Sequence, residues 1–274
     1  MSEIAMFRTS DGTLMNVEMS GEGPPVVFHH GLLGDANQAA EEAFPADTGF
    51  RRISIEARGH GRSEAGDPGC FSIATFADDV ASYIEKQIAA PVVLGGISMG
   101  AAISLRLAVT RPNLVRALIL SRPAWLTQSA PENMAPNAEV GRLLREMPLE
   151  EGKEAFLGGS IGRRLAIEGP DNLNSLLGFF SRPPHNITAA LLTAISNDGP
   201  GVTDAEVRQI SMPTLIIGND RDPIHPIAYA EGLAERISGA RFVKITSKAE
   251  SRSQHQADFR RAMGAFLKDL KAND

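Results

Sequence analysis

The chain has 274 residues, of which 43% are hydrophobic and 22% charged, and its formal net charge at pH 7 is -6. This is the composition of an ordinary globular protein, and the negative charge argues against nucleic acid as its main partner. The apolar runs are too short to span a membrane, and the N-terminal stretch MSEIAMFRTSDG lacks the apolar core of a secretory signal. The single cysteine, Cys70, excludes an intrachain disulfide, so we expect a cytoplasmic protein.

Short apolar and β-branched runs alternate with helical patterns along the chain. The first two runs, LMNVEM and PPVVFHHG, are predicted to form a hairpin through SGEG. Five later runs are apolar nearly throughout, which is typical of strands buried on both faces of a parallel sheet. These runs are 51–57, 91–97, 115–121, 213–218 and 240–246. Helical patterns between them, and a last helix at about 256–270, indicate βαβ units and an α/β fold.

One segment, 123–209, interrupts this alternation because it contains no convincing strand. Its Pro, Gly and Asn residues separate short amphipathic patterns such as AEVGRLLREM and DNLNSLLGFF. We expect a helical cap over the carboxyl edge of the sheet, where open α/β sheets bind ligands. The core would then comprise 1–122 and 210–274. The alternative is a structural subdomain away from any site.

A G-x-S-x-G motif marks the candidate nucleophile. Gly96-Ile97-Ser98-Met99-Gly100 follows a predicted strand directly and leads into a predicted helix, which is the context that this motif requires. A serine at the apex of such a turn occupies strained backbone, so the residues two positions away must be small. The helix N-terminus behind it favours developing negative charge. The sequence therefore predicts that Ser98 is a nucleophile.

Together with three further motifs, this segment resembles the α/β-hydrolase family. HHGLLGD (29–35) is similar to the family's His-Gly loop, and GNDRDPIHP (218–226) is similar to its acid-bearing turn. EARGHGRS (56–63) is similar to its Arg-Gly turn, with Glu56 in place of the usual Asp. The resemblance implies a mostly parallel sheet of about eight strands, with helices on both faces and a helical cap insertion. It also implies an oxyanion hole formed by the amides of Leu32 and Met99.

The resemblance implies a catalytic triad in the chain order serine, acid, histidine. Asp222 is the favoured acid because Asp-Pro-x-x-Pro matches the family's turn, and Asp220 is the second candidate. His255 is the favoured base because it is the only histidine after the last predicted strand, and His225 is the alternative.

His255 departs from the family in its position. The family's histidine column falls on Lys248 or Ala249, and His255 comes later, four residues before Phe259. That spacing places it on the inward face of the last helix, if the helix begins early enough.

These residues together predict a serine hydrolase. It would cleave a carboxylic ester, lactone or thioester of a small, mostly apolar substrate through an acyl-enzyme on Ser98. The alternatives are a C–C bond hydrolase or perhydrolase with the same triad, and a non-catalytic ligand-binding member with a degraded triad. We expect no cofactor and no metal, since the chain has no dinucleotide or phosphate-binding glycine motif and its histidines lack ligand spacing. The expected partner is a small molecule, and the sequence leaves both a monomer and a homodimer open.

Overall fold

A single sheet of eight strands runs through the computed structural model, which describes residues 3–38, 40, 44–45 and 48–272. The strand order is β1-β2-β4-β3-β5-β6-β7-β8. The strands are Glu3–Arg8 (β1), Leu14–Ser20 (β2), Pro25–His29 (β3), Arg51–Ile55 (β4), Val92–Ile97 (β5), Val115–Ser121 (β6), Thr214–Gly218 (β7) and Arg241–Lys244 (β8).

The helices alternate with the strands in the second half of the sheet. They are Ala36–Gln38 (α1), Ile73–Tyr83 (α2), Met99–Thr110 (α3), Ala135–Glu146 (α4), Leu149–Gly158 (α5), Ser160–Glu168 (α6), Pro170–Phe179 (α7), His185–Ser196 (α8), Asp204–Val207 (α9), Ile227–Arg236 (α10) and Arg252–Ala272 (α11). Within the described ranges, no helix is both long enough and apolar enough to cross a membrane.

The predicted hairpin between β2 and β3 is wrong. β4 lies between these two strands, antiparallel to β2 and parallel to β3. The hairpin partner of β2 is instead β1, a strand that was not predicted from the sequence. The turn between them places Gly12 at φ 94°, where glycine is unstrained. All the other neighbouring pairs are parallel, as expected for βαβ units.

Alternate residues of the central strands pack against different helices. Val93, Ile119 and Leu215 belong to one apolar cluster, which α11 covers with Phe259 and its neighbours. Leu94 packs in the cluster that contains residues of α2 and α3. The central strands are therefore buried on both faces, as predicted. β8 differs from the prediction, because it is an edge strand with exposed ends.

The chain between β6 and β7 is helical from α4 to α9. Its most extensive described contacts join α4 to α8, and Leu143, Phe156 and Leu176 fill its apolar interior. This segment agrees with the helical insertion expected at 123–209, and the division of the chain into core and cap at those boundaries stays a prediction.

Three buried histidines lie at or after the ends of β3 and β4, namely His29, His30 and His60. Burial lowers the pKa of His29 to about 3, with the neighbouring His30 adding to the effect. Burial likewise lowers the pKa of His30 and holds that of His60 well below its usual range. The His30 Nε2 accepts the Ala57 amide at 3.0 Å, and the ring stacks on His60 at a centroid distance of 4.7 Å. Burial therefore favours the neutral form of all three rings.

The lowered pKa values predict that the protein loses stability as the pH falls below about 6.5. Above that pH the histidines are neutral in both states, whereas below it the unfolded chain binds protons that the folded chain rejects. Each such histidine contributes a slope of about 1.4 kcal/mol per pH unit to the free energy of unfolding. Urea unfolding between pH 7 and 5 measures that slope. His60→Asn keeps a donor for the Arg58 carbonyl but takes up no proton in the unfolded chain. It should therefore reduce the slope by about 1.4 kcal/mol per pH unit, the contribution of one histidine. Identical slopes for the two proteins would contradict this account.

Candidate active site

Ser98 lies at the apex of a strained turn between β5 and α3. Its backbone has φ 56° and ψ -110°, a conformation that L-residues rarely adopt. A Cβ on Gly96 would come within 2.6 Å of the Gly100 backbone, and one on Gly100 within 2.7 Å of the His29 side chain. The small residues of the motif are therefore required by the close approach of β5, α3 and β3. This packing holds the serine in its strained conformation, as the motif predicts.

The loop after β3 passes beside this turn. The Gly34 amide donates to the Gly31 carbonyl at 2.8 Å, and the Gly31 amide donates to Gln38 Oε1 at 2.8 Å. A Cβ on Gly31 would lie 3.5 Å from Ser98 Cβ, so the loop backbone borders the serine. Leu32, the next residue, lines the same cavity as Ser98.

Met99 is the first residue of α3. Its amide belongs to the first helical turn, where backbone donors have no partner within the helix. Met99 as a whole is fully buried, and it is not among the residues that line the cavity. Met99 is thus next to Ser98 in the chain, and Leu32 lines the same cavity as Ser98.

Glu56 anchors the turn that resembles the Arg-Gly motif. Its carboxylate accepts the Ala36 amide at 3.0 Å, the Asn16 side chain at 3.0 Å and the Arg62 amide at 2.6 Å. The departure from Asp at this position therefore has a structural role, because the longer side chain ties α1 to β2 and to the turn.

The histidine that contacts Ser98 is His225. Its Nε2 lies 2.9 Å from Ser98 Oγ, and its Nδ1 lies 2.9 and 3.0 Å from the two carboxylate oxygens of Asp222. An ionised carboxylate only accepts hydrogen bonds, so Nδ1 carries the proton and Nε2 accepts from the serine hydroxyl. His225 and Asp222 are three residues apart in the turn after β7, so a single turn delivers both groups to Ser98.

Asp222 is a buried carboxylate with partners from three segments of the chain. Arg122, which follows β6, donates to Oδ2 from Nη2 at 2.6 Å and from Nε at 3.1 Å. Asn172 on α7 donates to Oδ1 at 2.9 Å. The insertion therefore contributes directly to the environment of the acid.

Electrostatics keep Asp222 ionised and His225 neutral. Burial alone would raise the pKa of Asp222, but His225 and the Arg122 guanidinium outweigh it and hold that pKa well below its usual range. Burial lowers the pKa of His225; Asp222 opposes this effect, and the positive charges of Arg122 and Lys248 add to it. At neutral pH the imidazole is therefore in the form that can accept a proton.

His255 does not occupy the position expected for it. It is buried on the inward face of α11, as its spacing from Phe259 predicts, with the two rings 6.2 Å apart. Its Nδ1 lies 2.8 Å from the Thr246 carbonyl, and it is not among the residues that line the cavity around Ser98. The physical reason is that α11 covers a face of the sheet, whereas Ser98 projects from its carboxyl edge. The expectation that His255 meets Ser98 is thus corrected in favour of His225, the alternative.

The two candidate aspartates have different partners, and the role of Asp222 as the acid stays a prediction. Asp222 contacts the histidine, whereas the partly exposed Asp220 forms an ion pair with Lys244 at the end of β8.

Two residues of this arrangement were not predicted from the sequence, Arg122 and Asn172. The segment LILSRPAW contains no carboxylate, but a charged residue of either sign directly after a parallel strand reaches the same edge of the sheet as Ser98. Asn172 gives no comparable signal, because its contact depends on how the insertion folds over the core.

The cavity around Ser98 has a volume of about 470 Å³. Helix α7 contributes Leu176 and Phe179 to its wall, but also Asn172 and Ser175. The remaining lining is largely polar and includes several arginines. This wall is more polar than a small, mostly apolar substrate would lead one to expect, because α7 contributes polar as well as apolar residues to it.

Known proteins are similar to this chain in sequence and in fold. Residues 24–153 match a family model described as the alpha/beta hydrolase fold. The pimeloyl-[acyl-carrier protein] methyl ester esterase of Chromobacterium violaceum is 26% identical over 259 residues, covering 92% of this chain and 97% of that protein. A putative non-heme bromoperoxidase of Mycobacterium tuberculosis is 27% identical over 230 residues, covering 82% and 86%.

Among solved structures, the enol-lactonase from Burkholderia xenovorans LB400 superimposes with a TM-score of 0.70 at 23% identity, covering 98% of each chain. This likeness concerns the fold, including the eight-stranded, mostly parallel sheet. Together with the family model over residues 24–153, it shows that the chain has the alpha/beta hydrolase fold.

Proposed function

We propose that this protein is a serine hydrolase that cleaves an ester, lactone or thioester, with Ser98 as nucleophile, His225 as general base and Asp222 as the acid that orients it. The observation that carries this proposal is the pair of hydrogen bonds joining Ser98 Oγ to His225 Nε2 and His225 Nδ1 to Asp222. Both distances lie in the range that proton transfer requires.

In the first step Ser98 Oγ attacks the substrate carbonyl while His225 Nε2 takes the hydroxyl proton. The Leu32 and Met99 amides are the proposed donors to the oxyanion, supported by the position of Leu32 on the cavity wall and of Met99 at the helix start. His225 then protonates the leaving alcohol or thiol, and the acyl group stays on Ser98. Water, deprotonated by His225, releases the acid and restores the serine.

Perhydrolysis is the second candidate, favoured by the similarity to a putative non-heme bromoperoxidase. It would use the same acyl-enzyme, with hydrogen peroxide in place of water giving a peracid. C–C bond cleavage of a diketone and ligand binding without catalysis are the remaining alternatives. A substrate panel of esters, of diketones, and of esters with added peroxide separates ester hydrolysis, C–C bond cleavage and perhydrolysis.

A fluorophosphonate probe tests the proposed nucleophile and base. We expect the wild-type protein to be labelled on Ser98, Ser98→Ala to be unlabelled, and His225→Gln to lose about 10³-fold or more in labelling rate and in kcat. Peptide mapping by mass spectrometry locates the label.

His255→Gln is the matched control, and it should keep labelling and activity within a few-fold of wild type. Thermal unfolding of each variant shows whether the exchange has disturbed the fold. Loss of labelling in His255→Gln with retention in His225→Gln, both variants being folded, would refute the assignment. Absence of labelling in the wild type would favour a ligand-binding protein.

The charge of Arg122 should affect the pH dependence of kcat/KM. A base with a lowered pKa stays neutral in mild acid, so we expect the acidic limb of kcat/KM to have its midpoint below 6.5. Arg122 Nη2 lies 3.2 Å from His225 Nδ1, so Arg122→Gln removes a charge that opposes protonation. This exchange should move the midpoint to higher pH by about one unit or more.

Arg164→Gln provides the comparison for the pH profile, since Arg164 pairs with Glu168 on α6 and does not line the cavity. Its profile should match wild type. A midpoint that stays in place, or moves to lower pH, in Arg122→Gln would contradict the role given to this charge.

A further inference from the structure

Asn137 is a buried polar residue on the wall of the cavity around Ser98. It lies in the first turn of α4, is 6% exposed and lines that cavity. Its side-chain amide forms no hydrogen bond with the residues that the structure describes. Burying an amide without a partner is unfavourable, and nearly all buried amides are therefore hydrogen-bonded. The cavity is the space from which a ligand can supply the missing hydrogen bond.

Among the described residues, the insertion contributes two further uncharged polar side chains to this wall, and both have partners. Asn172 Nδ2 donates to Asp222 Oδ1 at 2.9 Å, and Ser175 Oγ donates to the Asp171 carbonyl at 2.9 Å. The first hydrogen bond stabilises the proposed acid, and the second lies within α7. Of these three side chains, Asn137 is thus the one that keeps its full hydrogen-bonding capacity for a ligand.

The inward face of α4 does not otherwise require a polar residue. Val140 and Gly141, three and four residues after Asn137, are buried and share its helix face. A Cβ on Gly141 would come within 2.8 Å of Thr193 Oγ1 on α8, so this face packs closely against the neighbouring helix. An apolar side chain in place of Asn137 would fit such a face without an unpaired amide. The asparagine is therefore better explained by a ligand than by packing.

The start of α4 is fixed to the turn that contains the proposed acid and base. Asn133, two residues before the helix, donates from Nδ2 to the Ile224 carbonyl at 2.7 Å. Ile224 lies between Asp222 and His225 in the chain and also lines the cavity. Asn137 follows Asn133 by four residues, which is about one helical turn. The position of Asn137 is therefore set relative to the residues that act on the substrate.

We propose that Asn137 is a specificity residue that hydrogen-bonds a neutral oxygen of the substrate, a carbonyl or a hydroxyl, away from the scissile bond. An amide both donates and accepts, so it can pair with either group. A substrate without this oxygen would leave the buried amide unpaired, which is how a polar pocket rejects an apolar analogue. The inference rests on the proposed hydrolase function and narrows its substrate class to esters, lactones or thioesters with a second polar group.

Esters that differ by one oxygen test this role. The p-nitrophenyl ester of 5-oxohexanoate is compared with that of hexanoate, and the ester of 6-hydroxyhexanoate with that of heptanoate. Hexanoate esters of 5-hydroxy-2-pentanone and of 1-pentanol provide the same contrast in the leaving group. Each kcat/KM is divided by the rate constant for hydrolysis of the same ester by hydroxide, which removes differences in intrinsic reactivity. We expect the wild-type protein to favour the oxygen-bearing member of at least one pair by about 10-fold.

Asn137→Leu keeps the approximate size of the side chain and removes its hydrogen bonding. This variant should lose most of the preference, mainly through a higher KM for the oxygen-bearing ester. Its kcat/KM for the apolar ester and its labelling by the fluorophosphonate probe should stay near wild type. Asn137→Ala, which cannot clash with its neighbours, should lose the preference in the same way. Asn174→Leu, at an exposed position of α7 outside the cavity, is the matched control and should keep it.

Thermal unfolding distinguishes this role from a structural one. Asn133→Ala removes hydrogen bonds to the Ala124 and Ile224 carbonyls and should lower the Tm clearly. Asn137→Ala removes the same atoms without breaking a hydrogen bond to a described residue, so its Tm should fall less. An equal or larger fall for Asn137→Ala would show that Asn137 stabilises the fold, and would contradict its role as a specificity residue.

The absence of any preference for oxygen-bearing esters in the wild type, or an unchanged preference in both Asn137 variants, would overturn the proposal while leaving the hydrolase intact. Failure of the hydrolase itself gives a different result, namely no turnover of any ester and no labelling of Ser98.

Discussion

The arrangement around Ser98 depends on one buried carboxylate. Asp222 is removed from water, and a buried charge is stable only when it is paired and hydrogen-bonded. Arg122, Asn172 and His225 supply these partners from the end of β6, from α7 and from the turn after β7. Because His225 is only three residues from Asp222, fixing the carboxylate also fixes the imidazole, and with it the hydrogen bond to Ser98.

This arrangement joins the insertion to the chemistry. Helix α7 both lines the cavity and donates a hydrogen bond to Asp222. Its N-terminus packs so closely on the acid turn that a Cβ on Gly169 would come within 2.7 Å of Pro223. Any displacement of α7 therefore changes the hydrogen bonding of the acid, and not only the shape of the cavity.

The sequence was informative where local backbone geometry determines the outcome. Strand–turn–helix around Ser98, the strands buried on both faces and the favoured acid all follow from short patterns. The position of β4 between β2 and β3, and that of His255, depend instead on long-range pairing and packing. A spacing of four residues from Phe259 indicates correctly that His255 faces inward, but it does not distinguish the face of a sheet from its edge. The ion pair of Arg122 with Asp222 joins residues 100 positions apart, and no local pattern reports it.

The central claim, that His225 is the histidine bonded to Ser98, has a direct spectroscopic test. Phosphonylation of Ser98 expels fluoride, and subsequent loss of the alkoxy group from the adduct leaves a negatively charged phosphonate oxygen beside the imidazole that contacts Ser98. This charge should raise the pKa of that ring alone. Proton NMR titration before and after labelling measures the pKa of each histidine. We predict that one ring titrates at markedly higher pH in the adduct and that the same signal is absent from His225→Gln. A shift confined to the signal that His255→Gln removes would contradict the account.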